Sequence, residues 1–426
     1  MVHMPHPFII LLGKVVRALA RLRGGGSALP GLFVERLDPQ FIKKTLAQLP
    51  EGVVVISGTN GKTTTTKMVV SLLEAHGLKV FTNRTGSNFT RGVAAALLKD
   101  VDLGGHLDAD VAVLELDEAH AVKFVEAVQP RHSLILNVMR DQLDRFGEID
   151  ATASLLAKLA KSSSQSVVLN REDPRVRRIA LELKDQQVSY FGLSDDLLQH
   201  FPNDDDLRNQ SVKTTKRPTA EVLLSTYKGD QATFTISNKK YETSLKITGI
   251  YNVFNSAAAI ALAKNILGDD FDAPKTITAL SQVTPAFGRG EVFIVDEQPL
   301  ELVLVKNPSG FRLGLKSFPA AGYATMIAIN DNYADGRDMS WLWDVEFDAL
   351  SKAGVATVTG IRAYDMALRL QYDEVPIADV TTDISAALRR FIVQNKTLPK
   401  RIYCTYTAML AIRKDLRKST NVEAVS

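Results

Sequence analysis

Short apolar runs alternate along the chain with longer amphipathic patterns. Val53–Ile56 is a β-branched run typical of a buried strand, and residues 63–76 place their apolar side chains on one face of a helix. The same alternation continues through the strand patterns "LKVFTN", "ADVAVLELD", "HSLILNV" and "SVVLN", with the helix pattern "RGVAAALLKDV" after the first of them. Strands that alternate with helices predict a mainly parallel α/β sheet.

The pattern changes after residue 194. Residues 195–215 are acidic and polar and predict a loop insertion, whereas residues 220–247 alternate around a Lys-Gly-Asp turn and predict antiparallel hairpins. A helix is expected over residues 252–265, and "LELVLVK", "ATMIAIN" and "ATVTG" begin a second α/β pattern. We therefore expect an N-terminal helical segment (1–50), a central α/β domain (51–284) and a smaller, Rossmann-like C-terminal α/β domain (285–426).

Composition narrows the class of protein. Of the 426 residues, 45% are hydrophobic and 23% are charged, which is ordinary for a globular protein in water. The formal net charge of +3 gives no reason to expect a nucleic-acid partner. The single cysteine, Cys404, excludes a disulfide framework and a multi-cysteine zinc site, and its strand-like surroundings predict a core residue. We expect a cytoplasmic protein.

The N-terminus carries an apolar run, Phe8–Leu12, followed by Lys14, Arg17, Arg21 and Arg23 at roughly helical spacing. The run is too short to span a bilayer, which takes about 20 apolar residues, and no small-residue cleavage site follows it. Two interpretations stay open. The helix packs on the next domain, or it is a basic amphipathic helix that rests on the inner face of an anionic membrane.

The segment "VVVISGTNGKTTTTK" predicts a phosphate-binding loop. Gly58 and Gly61 allow backbone amides to face a ligand, and the helix that follows directs its positive end to the same point. Lys62 can reach the outer phosphates, so we expect it to be exposed to its ligand and not packed. The hydroxyl of Thr63 or Thr64 suits magnesium. Two residues separate the glycines, where the usual loop has four.

The segment "GTNGKTTTT" resembles the ATP site of the Mur ligase family. Further segments of that family are matched, in the same order, by "VLELDEAH", "NVMRDQLDRFGE", "NREDP" and "GIYNVFNSAAA". The resemblance implies a Mur ligase-like central domain in which Thr63 and Glu115 bind magnesium and Asn255 faces adenine. Lys62 and Glu115 are then catalytic. The expected nucleotide contacts are Gly58, Thr59, Asn60, Gly61, Lys62, Thr63, Thr64, Asn170, Asn255 and Arg289.

The segments "SALPG", "LVKNPSGF", "NDNYADGRDMSWLWD", "TGIRAYDMALRL" and "TYTAML" resemble the MurT family, the ligase-like subunits of lipid II isoglutaminyl synthases. These enzymes use ATP to amidate the D-glutamate carboxylate of the lipid II stem peptide through an acyl phosphate. The resemblance therefore implies an ATP- and magnesium-dependent carbon–nitrogen ligase. It also implies a heterodimer with a GatD-type glutaminase that supplies ammonia.

The same resemblance implies that an aspartate of this subunit completes the Cys–His–carboxylate triad of the glutaminase. Asp344, beside Trp341 and Trp343, is the first candidate and Asp338 the second; we expect both tryptophans to be exposed. Alternatively, both aspartates are helix-start or surface carboxylates.

Several departures from the Mur ligase pattern are informative. Gln142 replaces a histidine, Val303 replaces a ribose-contacting aspartate, and Lys158 lies out of register with the carbamylated lysine. Only 57 residues precede Gly58, which is too few for a UDP-binding domain and suits a lipid-linked substrate. The four cysteines of a zinc ribbon are missing, so no zinc is expected. The alternatives are an amino-acid-adding Mur or folate-type ligase, and a non-catalytic nucleotide-binding scaffold for a glutaminase.

Overall fold

The computed structural model describes residues 7–22, 29–83, 89–140, 149–201, 217–247, 249–285 and 289–417. These residues form two compact units. The first contains most of the chain up to Val283, and the second begins at Thr284 and includes the short segments around Met139 and Tyr251. Each unit has its own β-sheet.

Three helices precede the first strand: α1 (Pro7–Leu22), α2 (Leu29–Leu37) and α3 (Phe41–Leu46). Helix α1 packs closely against α2, because Gly13 has no side chain. A Cβ atom there would lie 2.6 Å from Cγ2 of Val34, a contact that no real Cβ tolerates. Ile10 is fully buried on the same side, and Lys14 donates a 2.6 Å hydrogen bond to the carbonyl oxygen of Val101. The expected N-terminal helix is therefore present and packs on the first unit.

The sheet of the first unit has the strand order β2-β3-β1-β4-β5-β6-β7-β8-β9 over the described residues. Strands β1 to β7 pair in parallel, and β7, β8 and β9 form antiparallel hairpins. The strands are β1 (Val53–Ser57), β2 (Val80–Thr82), β3 (Val111–Glu115), β4 (His132–Ile135), β5 (Ser166–Asn170), β6 (Gln187–Leu193), β7 (Val222–Lys228), β8 (Gln231–Ile236) and β9 (Lys239–Ser244). The predictions of a mainly parallel sheet and of terminal hairpins are both confirmed.

Helices lie between these strands and after β9. Strand β1 is buried along its whole length, as expected for a central parallel strand. The helices are α4 (Lys62–Ala75), α5 (Thr90–Asp100), α6 (Glu118–Ala127), α7 (Ile149–Lys161), α8 (Pro174–Ile179), α9 (Ile250–Leu267) and α10 (Ala273–Gln282). Helix α9 extends two residues beyond each end of the predicted 252–265. Of the predicted insertion, residues 195–200 form a 3-10 turn, and residues 202–216 lie outside the described residues.

His132 of β4 is buried, and its Nδ1 lies 2.8 Å from the Ser166 hydroxyl of β5. Burial, assisted by the charge of Arg131, lowers the pKa of His132 from 6.5 to about 4. The folded chain therefore binds fewer protons than the unfolded chain between these values. This contribution to stability is complete above pH 6.5 and is lost as the pH falls through about 4.

We expect His132 alone to lower the free energy of unfolding by about 3 kcal/mol between pH 7 and pH 4. Urea unfolding at several pH values measures this slope, and His132→Asn should flatten it. Exposed His106→Asn is the control and should leave the slope unchanged. An equal slope in wild type and His132→Asn would contradict the assignment.

The second unit contains a six-stranded sheet in the order β10-β11-β15-β12-β13-β14. Among its described strands, only β10 and β11 pair antiparallel. The elements are β10 (Arg289–Val295), β11 (Gln298–Leu304), α11 (Pro308–Ser317), β12 (Ala324–Ala328), β13 (Thr357–Thr359), α12 (Ala363–Tyr372), β14 (Val380–Thr381), α13 (Ile384–Gln394), β15 (Lys400–Cys404) and α14 (Tyr406–Leu416). The long segment between β12 and β13 carries the two candidate aspartates.

Candidate active site

The loop between β1 and α4 depends on two glycines with left-handed or related backbone conformations. Gly58 has φ +134° and Gly61 has φ +91°. A Cβ at Gly58 would lie 3.0 Å from the backbone of Asn137, and one at Gly61 would lie 2.4 Å from Nδ2 of Asn255. Side chains at either position would therefore collide with the residues that flank the loop.

Asn137, just after β4, holds the loop from a second side. Its carbonyl oxygen accepts from the amide of Thr59 at 3.0 Å, and its Oδ1 accepts from the amide of Asn60 at 2.9 Å. Its Nδ2 donates to the carbonyl oxygen of Asn60 at 2.9 Å. Sequence reasoning assigned no role to Asn137, although it opens the quoted "NVMRDQLDRFGE" segment. A side-chain amide that pairs with both backbone groups of one residue fixes the loop without a ligand.

The expectation that Lys62 is exposed and unpacked is wrong. Its side chain is only 5% exposed, because the ammonium folds back over the loop. Nζ donates to the carbonyl oxygens of Gly58 and Thr59, and it lies 3.6 Å from a carboxylate oxygen of Glu118. Glu118 begins α6 and is also buried. The loop carbonyls and Glu118 together hold the positive charge at the start of α4, where phosphate binding requires it.

Thr63 and Glu115 lie together at the carboxyl end of the parallel sheet. The Thr63 hydroxyl donates a 2.8 Å hydrogen bond to Oε1 of Glu115. Asn83 fixes the backbone of Glu115 through two hydrogen bonds, one to its carbonyl oxygen and one from its amide. The Thr64 hydroxyl is buried and has no partner among the described residues. Of the two threonines proposed for magnesium, Thr63 is therefore the one beside the carboxylate.

Hard oxygen ligands on adjacent side chains suit magnesium, which binds through one or two protein groups plus water and phosphate. Thr63 and Glu115 meet that requirement. Within the described part of the chain, no group of three or more His, Cys, Asp or Glu side chains could hold a metal ion. A magnesium ion here would thus complete its coordination with water and nucleotide oxygens.

The remaining predicted nucleotide contacts lie in different surroundings. Asn255 packs against Gly61, at the loop. Asn170 uses its side-chain amide internally: Nδ2 donates to the carbonyl oxygen of Leu136 at 2.7 Å, and Oδ1 accepts from the amide of Glu172 at 2.9 Å. Arg289 begins β10 in the second unit. Hence Asn255 is the member of this set that touches the loop in the first unit.

The three positions that depart from the Mur ligase pattern lie in different parts of the chain. Val303 lies in β11 and belongs to the hydrophobic core of the second unit. Lys158 is exposed on α7. Gln142, with most of the "NVMRDQLDRFGE" segment, lies outside the described residues.

The segment that follows β12 is fastened to the start of α14 by a buried carboxylate. Asp335 accepts hydrogen bonds from the Thr407 amide at 2.7 Å, from the Thr407 hydroxyl, and from the Asn332 amide at 3.1 Å. Burial raises the pKa of Asp335, against the lowering effect of these bonds. Asp335 received no role from the sequence. It holds the base of the segment that carries the candidate aspartates.

The expectation that both tryptophans are exposed is wrong for Trp341. Trp341 is 4% exposed and packs in the core near Phe311, whereas Trp343 is 49% exposed. The short 3-10 turn Ser340–Asp344 has about three residues per turn, so positions 341 and 343 point in different directions. Trp343 contacts the ring of Tyr372 at 5.5 Å. One tryptophan is therefore structural and the other is on the surface.

Asp338 and Asp344 differ in their partners. Oδ1 of Asp338 accepts a 2.9 Å hydrogen bond from the Ser340 amide, and hydrogen bonding to the Ser340 side chain, assisted by this backbone bond, lowers the pKa of Asp338. Asp338 thus acts as a helix-start carboxylate. Asp344 is exposed, and its side chain makes no hydrogen bond or ion pair with any residue that the structure describes.

Comparison with known proteins supports the interpretation of the fold and the loop. Residues 56–263 match the Mur ligase middle domain, and residues 304–409 match the MurT ligase C-terminal domain. A pseudomurein peptide ligase type C from Methanothermus fervidus has the same fold, with TM-score 0.68, 18% identity, and coverage of 88% of this chain and 81% of that one. MurF ligase from Thermotoga maritima in complex with ADP gives TM-score 0.64 and 16% identity, covering 89% and 82%.

Two curated relatives cover most of the chain. The lipid II isoglutaminyl synthase (glutamine-hydrolyzing) subunit MurT of Streptococcus pneumoniae (strain ATCC BAA-255 / R6) is 30% identical over 438 residues, 95% of each chain. The subunit of the same name from Staphylococcus aureus (strain COL) is 30% identical over 398 residues, 86% of this chain and 88% of the relative.

The fold and the phosphate loop thus define a ligase of the Mur type, with the Mur ligase fold and a Mur ligase middle domain. The chain belongs to the MurT family. The resemblance found in the sequence is confirmed.

Proposed function

We propose that this protein uses ATP to amidate the D-glutamate carboxylate of the lipid II stem peptide, giving D-isoglutamine. The observation that carries the proposal is the preformed cluster around the loop, where Lys62 lies at the start of α4 and Thr63 is bonded to Glu115. This cluster places a positive charge and hard oxygen ligands at the first two residues of α4. The family relatives are named for the isoglutaminyl synthase reaction, which supports the choice of substrate.

The reaction follows from the weak electrophilicity of a carboxylate, whose leaving group would be oxide. A carboxylate oxygen attacks the γ-phosphorus of ATP, ADP leaves, and an acyl phosphate forms. Ammonia then attacks the acyl carbon, inorganic phosphate departs with its bridging oxygen, and nitrogen loses a proton to give the amide. Phosphoryl transfer requires positioning and charge neutralisation rather than covalent help. Magnesium, when bound, adds to that neutralisation.

We assign a separate role in this reaction to each residue of the site. Lys62 would bind the outer phosphates from the start of α4, where the loop carbonyls and Glu118 surround its ammonium. Thr63 and Glu115 would hold magnesium, and Asn255, which packs against Gly61 of the loop, would contact adenine. Arg289 stays a candidate phosphate contact.

We propose that ammonia comes from a partner, because the sequence shows no glutaminase signature of its own. Cys404, its one cysteine, is completely buried in β15, and burial raises the pKa of its thiol far above the ordinary value. A buried, protonated thiol cannot attack the side-chain amide of glutamine. We propose a GatD-type glutaminase as this partner, with Asp344 orienting the partner's catalytic histidine.

An exposed apolar surface beside Asp344 supports this partner. Tyr364, Leu368 and Tyr372 lie one turn apart along α12 and are 68%, 55% and 76% exposed. Trp343 extends this surface through its contact with Tyr372. Aromatic side chains of this kind are enriched at binding hot spots.

We place the protein in the cytoplasm, at the inner face of the membrane where lipid II is accessible. Among the described helices, none is long and apolar enough to cross a bilayer. The substrate must then be reached from the surface of the membrane.

The proposal predicts ADP formation that depends on the lipid-linked substrate and on magnesium. EDTA should abolish turnover, magnesium should restore it and zinc should not, because the ligands at the site are hard oxygens. Glu115→Gln should lower turnover at limiting magnesium, with part of the loss recovered at high magnesium. Coupled measurement of ADP release provides the rates.

ADP release at the same rate with and without the lipid substrate would contradict the proposed reaction. ATP binding without any turnover would instead support the scaffold alternative. Stoichiometric zinc in the purified protein would contradict the metal assignment.

A further inference from the structure

The outward side of α1 is an apolar stripe along the whole helix. Phe8, Leu11, Val15 and Leu19 are 65%, 51%, 47% and 54% exposed. Their spacing of three and four residues places them on one face. The opposite face carries Ile10 and Gly13 against the first unit. Helix α1 therefore packs on the first unit through one face and exposes the apolar stripe on the other.

The segment that carries the stripe is basic in sequence. Residues 1–34 contain Lys14, Arg17, Arg21 and Arg23 and no aspartate or glutamate. The next acidic residue, Glu35 of α2, lies 3.9 Å from Arg91, and Lys14 is bonded to the carbonyl oxygen of Val101. An apolar helix face in a basic segment is suited to bind a surface that is both hydrophobic and negatively charged.

The dimensions of α1 exclude a spanning role. Its 16 residues extend about 24 Å, less than the roughly 30 Å hydrocarbon core of a bilayer. An apolar face of this length instead fits a helix that lies in the interfacial plane, with its side chains inserted to a shallow depth.

We propose that the face formed by Phe8, Leu11, Val15 and Leu19 docks this protein on an anionic phospholipid membrane. The surface is separate from the phosphate loop, so the proposal goes beyond the amidation reaction and does not depend on it. Its consequence is that the protein is held at the membrane, where lipid-linked molecules are embedded.

Flotation of the full chain with vesicles tests the proposal. We expect the protein to float with vesicles of phosphatidylglycerol and phosphatidylcholine, and to bind pure phosphatidylcholine vesicles at least about tenfold more weakly. The double variant Leu11→Glu/Val15→Glu should lose about tenfold or more of the binding to anionic vesicles, since it places two charges on the apolar face. Leu181→Glu is the matched control: Leu181 is 87% exposed elsewhere on the same unit, and its replacement should change nothing.

Three further measurements make the result decisive. Unchanged thermal unfolding of the double variant shows that the docked helix is intact, and unchanged amidation of detergent-solubilised substrate separates this surface from the active site. Equal binding to both kinds of vesicle, or no binding to either, would overturn the proposal. So would a wild-type dimer that the double variant dissociates, because α1 would then contact a second copy.

Discussion

Lys62→Ala should lower ATP-dependent amidation by at least about 10²–10³-fold, the usual loss when one preorganised charge-stabilising donor is removed. The lysine is the charged side chain of the phosphate loop, and its ammonium already lies among the loop carbonyls at the start of α4. Without it, the developing charge on the transferred phosphoryl group loses its nearest cation. Single-turnover ADP formation with saturating lipid substrate measures the effect directly.

The burial of Lys62 makes a folding control necessary, because the side chain also faces Glu118. Lys62→Ala removes a buried ion pair with Glu118, so we expect thermal unfolding at a lower temperature, and turnover is compared at a temperature where the variant is fully folded. Lys158→Ala provides the matched control, since Lys158 is exposed on α7 and should have no effect on turnover. A folded Lys62→Ala protein with normal turnover would refute the phosphate-loop assignment.

Asp344→Asn should reduce glutamine-driven amidation by about 10³–10⁴-fold, because an amide cannot stabilise the imidazolium of the partner's histidine. ATP binding should be unchanged, since Asp344 is not among the predicted nucleotide contacts. Added ammonium should restore product in this variant, because free ammonia bypasses glutamine hydrolysis. Product formation with glutamine and with ammonium is compared in the assembled complex.

Asp338→Asn distinguishes the two candidates. Asp338 is engaged by the Ser340 amide, so its replacement should affect the local turn and show no selective rescue by ammonium. If neither variant alters glutaminase activity in the complex, Asp344 is an ordinary surface carboxylate and the shared triad is wrong.

The sequence predicts the fold well where local patterns and tertiary environment agree. The β-branched run at Val53–Ile56 becomes a strand buried on both faces, and the Lys-Gly-Asp turn joins β7 to β8 with Gly229 at φ +66°. The loop is predictable for the same reason: Gly58 and Gly61 adopt backbone conformations that other residues rarely reach.

The contacts that complete the site come from distant parts of the chain. Asn137 reaches Asn60 across 77 positions, and Glu115 reaches Thr63 across 52. The carboxylate that turns Lys62 inward likewise belongs to another helix, so no local pattern around the lysine reveals its burial. Trp341 and Trp343 are chemically identical and two residues apart, and only the turn they share decides which one enters the core.

Transfer of labelled nitrogen tests the central claim most directly. The chain and a GatD-type glutaminase are incubated with ATP, magnesium, lipid II and glutamine labelled with ¹⁵N in its side-chain amide, and the stem peptide is examined by mass spectrometry. The account predicts one ¹⁵N in a new amide on the D-glutamate residue, with one ADP formed for each amide. Label that remains in free ammonium or unreacted glutamine while ATP is consumed, or a product extended by an amino acid, would contradict it.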